Sequence, residues 1–292
     1  MKVAGFTFIK NALQFDYPVV ESILSVLPLC DEMVVAVGDS SDGTRELISS
    51  IPSDKIRIID TIWDPTLREG GAVLADETNK AFHAISGNPD WCLYIQGDEV
   101  LHEQYLDTVK QAMLQWKDHP EVDGLLFKYK HFYGSFDYIA SSSDWYRNEI
   151  RIVRHTPDIY SYRDAQGFRK GNDQKLKVKA IDAYIYHYGW VRPPQTMMDK
   201  KRNFGNYWGG NRVDETFLKT YSGEFDYSQI DALEKFTGTH PEVMKERISR
   251  MNWQFSYDLS YNNLSLKDHF KNWMEKWTGI RPFDYKNYIL LR

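Results

Sequence analysis

The stretch Trp91-Cys92-Leu93-Tyr94-Ile95-Gln96-Gly97-Asp98-Glu99-Val100-Leu101 decides how the chain folds. Aromatic and aliphatic residues run without a charge as far as Ile95; Gly97 then breaks the run and two carboxylates follow. Such a run reads as a strand buried on both faces, the kind that parallel sheets contain. In open α/β sheets ligands bind at the carboxyl ends of the strands, so these acids stand at a useful edge. A carboxylate there can hold a hard divalent cation, which can bridge phosphate oxygens. The competing reading is an ordinary strand-to-helix turn in which Asp98 or Glu99 caps a helix.

Upstream, the same pattern recurs. Lys2 to Ile9 reads as a strand, and Pro18 opens a helix in which Val19, Ile23, Val26 and Leu27 share one face. Met33 to Val37 is a second strand, ending in Gly38-Asp39-Ser40-Ser41-Asp42-Gly43-Thr44, and Leu47 and Ile48 begin another helix. Lys55 to Ile62 is a third strand; Leu74, Thr78, Ala81, Phe82 and Ile85 then line a helix that Asn88-Pro89 stops. A helix from Tyr105 to Trp116 follows the Trp91 strand. This alternation predicts an α/β fold with a mostly parallel central sheet flanked by helices. No G-x-G-x-x-G follows the first strand, where Ile9-Lys10-Asn11-Ala12 stands, and no P-loop occurs.

Composition narrows the function. A 292-residue chain with 42% hydrophobic and 26% charged residues is globular, and its formal net charge of −5 argues against a nucleic-acid partner. Cys30 and Cys92 lie in apolar contexts without metal-ligand spacing, which suits buried thiols in a reducing compartment. The apolar run at the start is too short for a signal peptide and none reaches the length of a membrane span, so a cytoplasmic protein is expected.

The order of motifs resembles family 2 glycosyltransferases of the GT-A fold. The resemblance is carried by Asp39-Ser40-Ser41-Asp42-Gly43-Thr44 after the second strand, Asn79 on the third helix, and Asp90-Trp91 through Glu99. It covers the first third of the chain closely and the middle third loosely. It implies an inverting transfer of a sugar from a UDP-, GDP- or dTDP-linked donor to a glycan or lipid-linked acceptor, assisted by Mg²⁺ or Mn²⁺. Asp39 then resembles the carboxylate on the nucleotide base, and Asp98 the metal-ligating second acid of an Asp-x-Asp motif whose first acid is Gln96 here. Asn79 and Gln96 fall on the donor side. Thr78 stands where an Arg is usual, and Arg68 is the substitute cation for the diphosphate.

After Asp123, Gly124 to Tyr129 and Ile150 to Arg154 read as strands around the loop Tyr133 to Tyr138. Ala183 to Trp190 resembles the family's strand with a His-Tyr dipeptide, which makes His187 a candidate second metal ligand. The family's His-Glu pair becomes Arg163-Asp164, leaving Asp164 as candidate general base ahead of Asp144 and Asp173.

Residues 1–192 are expected to form the nucleotide-sugar-binding and catalytic domain, and 193–292 a helical, aromatic-rich extension packed on it. Within the extension, Met197 to Trp208 reads as a helix followed by a Gly209-Gly210-Asn211 loop, and Val243 to Trp253 as another helix. His269 to Trp277 is read as a helix packed on the catalytic domain with its lysines in water, the rival being a peripheral membrane contact. Two other functions remain: a sugar-phosphate nucleotidylyltransferase, for which the first turn lacks a Gly-rich basic loop, and a non-catalytic carbohydrate- or nucleotide-binding relic. A glycoside hydrolase would need two opposed carboxylates and no nucleotide.

Overall fold

The computed structural model describes residues 1–142, 144–205, 207, 223–261, 263–278, 282 and 285–292. Strands Val3–Ile9 (β1), Glu32–Gly38 (β2), Ile56–Thr61 (β3) and Trp91–Tyr94 (β4) alternate with helices Val19–Val26 (α1), Thr44–Ser49 (α2) and Ala72–His83 (α3). There follow Glu99–Leu101 (β5), Leu106–Trp116 (α4), Gly124–Tyr133 (β6), Tyr138–Ala140 (β7) and Asn148–Val153 (β8). A meander of Ile159–Tyr162 (β9), Gly167–Lys170 (β10) and Gln174–Lys175 (β11) leads into the long strand Lys177–Trp190 (β12). The rest contributes Pro194–Gly205 (α5), Leu233–Lys235 (β13), Lys245–Ser249 (α6), Leu266–Thr278 (α7) and Ile289–Leu290 (β14).

β3, β2, β1 and β4 pair in parallel in that order. β8 is inserted antiparallel between β4 and β6, and β12 lies parallel to β6. Of these seven strands only β8 runs the other way, so the sheet is the mostly parallel, GT-A-like one expected. β1, β2 and β4 are buried on both faces, which is why their sequences are near-continuous apolar runs, whereas the edge strand β3 is half-buried. One face packs against α1 and α4 through Val19, Ile23, Val26, Val109 and Met113. The other packs against α3 through Val73, Leu74, Ala81 and Phe82. Each such aliphatic or aromatic side chain taken out of water contributes about 1.5–3 kcal/mol. Helices on both faces leave the carboxyl edge of β1, β2 and β4 as the open side.

Three expectations are corrected. Glu99 is neither part of an acidic loop after the strand nor a helix cap: Glu99–Leu101 is a buried strand, antiparallel to β12. The helix read over Val243 to Trp253 is shorter, a 3₁₀ turn at Glu242–Met244 followed by α6. On α7 the lysines are not all in water: Lys271 is only 6% exposed, while Leu266 is 90% and Trp277 74% exposed. Trp208 and the Gly209-Gly210-Asn211 loop lie outside the described residues. The final hundred residues also supply sheet edges, with β13 pairing β7 and β14 pairing β12. Among the described residues no helix is long and apolar enough to cross a membrane.

Candidate active site at the carboxyl edge

The loops after β1 and β2 are locked together, and this explains the Asp39–Thr44 motif. Ser40 Oγ accepts from Asn11 N (3.0 Å), Asp42 Oδ2 from Gln14 N (2.7 Å), and Thr44 Oγ1 from Ala12 N (2.7 Å). Asp42 Oδ1 also takes the Thr44 amide and hydroxyl, closing the first turn of α2. Asp39 alone of these points outward, accepting from Lys10 Nζ at 2.6 Å and from Trp63 N at 3.4 Å. Burial would raise its pKa, but the Lys10 ammonium and the Trp63 amide outweigh it and hold the carboxyl below its usual range. The Trp63 ring lies over Gly38, where a Cβ would come within 2.4 Å of Trp63 Nε1, so no larger residue fits there.

A cavity of about 750 Å³ opens along this edge. Lys10, Phe8, Trp63 and Tyr207 wall one end, Gln96-Gly97-Asp98 forms the floor, and Tyr146, Asp164, Gln166, His187, Trp190 and Lys200 close the other sides. The floor is held from beneath. Glu99 and Arg151, both fully buried, form a two-pronged ion pair (Arg151 Nε to Oε2 2.8 Å, Nη2 to Oε1 2.6 Å), and Tyr129 Oη donates to Glu99 Oε1 at 2.8 Å. Glu99 Oε2 accepts from Gln96 N (3.2 Å), and Asp98 O accepts from Tyr188 N of β12 (2.8 Å). The Gln96 amide donates to Tyr94 Oη and Ala165 O, so it braces the floor against the β9–β10 turn.

Asp98 meets His187 and Lys200. His187 Nε2 is 3.8 Å from Asp98 Oδ1, and Lys200 Nζ is 3.2 Å from Oδ2 and 3.0 Å from Gly189 O. A Cβ on Gly189 would lie 2.6 Å from His187 Nε2 and 2.8 Å from Asp98 Oδ2, so glycine keeps this corner open. Burial would raise the Asp98 pKa, yet the positive charges beside it, Lys200 foremost, hold it at about 2. Lys200 is pulled both ways: burial and Arg192 depress its pKa, while the Asp98 carboxylate favours its charged form.

The tautomer of His187 follows from its neighbours. His131 Nε2 lies 2.7 Å from Tyr146 O, which can only accept, so His131 donates there. Burial keeps His131 neutral, leaving a lone pair on its Nδ1, 3.1 Å from His187 Nδ1. His187 therefore donates through Nδ1, and being neutral by burial it turns the lone pair of Nε2 toward Asp98 Oδ1 and the cavity. A lone pair and a carboxylate oxygen facing one point make a donor pair suited to a cation, with His131 orienting the imidazole. Among the described residues no third Asp, Glu, His or Cys converges there. These two ligands fit Mg²⁺ or Mn²⁺ provided that phosphate oxygens or water complete the shell.

Asp164 lies on the cavity wall in the β9–β10 turn, between Arg163 (φ 55°) and Ala165 (φ 60°). Gly71, itself at φ 76°, packs where a Cβ would sit 2.8 Å from Asp164 Cβ, so the start of α3 is fitted to this turn. Burial raises the Asp164 pKa against the opposing pull of backbone donors and Arg163. The rivals are elsewhere: Asp144 and Asp173 are exposed, the latter facing Arg169.

The structure thus brings Gln96, Asp98, Asp164 and His187 to one cavity, with Asp39 reached through Lys10 and Trp63. It does not bring in Arg68 or Asn79. Arg68 is exposed, with Nε on Pro65 O, and both ends of the Asn79 amide are taken by the Ser161 backbone, clamping α3 to β9. Residues given no role in the site from the sequence are Lys10, Trp63, His131, Tyr146, Arg192 and Lys200. Only Lys10 and Trp63 carried a sequence signal, since each directly follows a strand at the carboxyl edge.

No protein-family model matches the chain, and no curated protein does. Solved structures similar to it include GT-A-type glycosyltransferases. TarS of S. aureus is 17% identical over 70% of this chain, with a TM-score of 0.39, and this chain spans 39% of its length. Glucosyl-3-phosphoglycerate synthase of Mycobacterium tuberculosis, solved with Mn²⁺ and UDP, is 17% identical over 46% of this chain and 45% of its own, with a TM-score of 0.31. A 4-diphosphocytidyl-2C-methyl-D-erythritol synthase from Anaerococcus prevotii is 12% identical over 70% of this chain and 95% of its own, with a TM-score of 0.38.

Proposed function

We propose that the chain is an inverting glycosyltransferase that moves a sugar from a nucleoside-diphosphate sugar to a hydroxyl of a glycan or lipid-linked glycan. The observation that supports this reading is the convergence of Asp98, His187 and Asp164 in one cavity at the carboxyl edge of parallel strands. Residues 1–192 supply that cavity's floor and base; residues 193–292 add Met197, Lys200, Lys201 and Tyr207 to its wall. Asp39, with Lys10 and Trp63, receives the base, and the Gln96 side presents the ribose and diphosphate. Asp98 Oδ1 and His187 Nε2 would hold Mg²⁺ or Mn²⁺, which when bound supplies positive charge to the leaving diphosphate. Asp164, its pKa raised by burial, takes the proton of the acceptor hydroxyl as it attacks. One base and one displacement invert the anomeric centre.

Thermal-shift measurements with UDP, GDP and dTDP, with and without Mn²⁺, test the reading. Stabilisation by at least one nucleoside diphosphate in the presence of Mn²⁺, with turnover abolished in a folded Asp98→Ala variant, is the expected result. Indifference to every nucleotide would favour a hydrolase or a non-catalytic relic, and preference for a nucleoside triphosphate with pyrophosphate release a nucleotidylyltransferase.

A further inference from the structure

Lys200 is the side chain of this site that the mechanism above leaves without a task. Its side chain is 14% exposed and lines the cavity, 102 residues from Asp98 in sequence, yet its ammonium pairs with the oxygen of Asp98 that does not face His187. It also donates to Gly189 O and lies 4.9 Å from the centroid of the Tyr17 ring. Arg192 lies behind this wall, fully buried, with its guanidinium 4.8 Å over the same ring and Nη1 on Phe15 O. Gln96, where a second carboxylate would add negative charge, is neutral.

A bare divalent cation entering between Asp98 and His187 therefore meets one carboxylate already neutralised by an ammonium, with a second fixed cation behind it. Repulsion between charges so close, away from bulk water, is strong. A diphosphate reverses the balance, because its oxygens offer Lys200, which lines the cavity, another anionic partner and so release Asp98. We infer that Lys200 is a counter-ion that makes cation and nucleotide binding mutually dependent: it blocks Asp98 against a cation alone and passes to the diphosphate when both arrive. Reciprocity is then required, since whatever factor the nucleotide adds to cation affinity the cation must add to nucleotide affinity.

The inference rests on the glycosyl-transfer reading for the identity of the nucleotide but not for its first test. Mn²⁺ binding is followed by the free-ion electron paramagnetic resonance signal in the full chain and in Lys200→Met and Lys200→Arg, without nucleotide. Lys200→Met, which removes the charge and keeps the bulk, is expected to bind Mn²⁺ at least about tenfold more tightly than the native chain. Lys200→Arg, which keeps the charge, should bind as weakly as the native chain. The titrations repeated with UDP or GDP should show Mn²⁺ affinity rising steeply in the native chain and much less in Lys200→Met. Equal or weaker Mn²⁺ binding in Lys200→Met overturns the inference, and so does the absence of Mn²⁺ binding in all three proteins at millimolar metal. If the order without nucleotide holds but no nucleoside diphosphate binds any of them, the counter-ion role stands and the donor assignment falls.

Discussion

At the scale of single residues, the acid–base assignment depends on environment more than on residue type. Asp39, Asp98 and Asp164 are chemically alike, but two are held below the usual carboxylate range and one above it. The raised one suits a proton acceptor that must work near neutrality. A base must be deprotonated to act, so a raised pKa moves the acidic limb of the kcat/KM profile upward from the ordinary 3.8. Asp164→Asn should lower kcat by roughly 10²–10⁴ and abolish that limb, while UDP or GDP still stabilises the protein with Mn²⁺. Undiminished turnover in Asp164→Asn would remove it from the mechanism. Asp98 was legible in the sequence because it ends an apolar strand, and Asp164 because a family pattern fell on it. Lys200 and His131 were not, because each acts on a partner far along the chain, and sequence spacing carries no information about such pairs.

At the scale of elements, the floor of the cavity is short and its support comes from elsewhere. β5 has three residues, too few to show a periodicity, and its first residue is a glutamate, so it reads as loop. What makes it a strand is tertiary: Arg151 of β8 compensates Glu99, and β12 pairs along it. Removing one member of a fully buried pair leaves the other charge without compensation. Arg151→Met should cost about 3–5 kcal/mol in urea unfolding, and Glu99→Gln combined with it should recover part of that loss. A loss in the double variant equal to the sum of the two single losses would mean that the two side chains are not coupled. The β9–β11 meander was invisible for a related reason: its strands are short, with polar and apolar residues mixed. β1, β2 and β4, by contrast, were readable to within a residue or two, because two buried faces leave an unbroken apolar signature, whereas only the buried second half of β12 was read.

At the scale of the molecule, β12 joins the parallel sheet to the site. It pairs with β5, β6 and β14, carries His187 toward Asp98, and leads into α5, which brings Lys200 back to the same carboxylate. Its ladder with β6 is interrupted twice: between Ala180 and Tyr184, opposite Leu126 and Lys128, three residues face one, and between His187 and Trp190, opposite His131 and Tyr133, two face one. The first irregularity sets where the chain can change length. One residue added between Ile181 and Asp182 falls where pairing is already interrupted, and the register from Tyr184 onward is kept. One residue added between Ile185 and Tyr186 reverses every side chain after it: Tyr186 would take the place opposite His131, and His187 would turn into the Phe132–Tyr188 aromatic cluster. Both proteins should fold, and only the first should keep stabilisation by Mn²⁺ with nucleotide in a melting experiment. Equal behaviour of the two would mean that β12 does not fix the site. If the two differ, the strand ahead of His187 tolerates a change of length at residues 181–183 and not at 185–186, and the spacing from Tyr184 to His187 is as much a part of the site as its side chains.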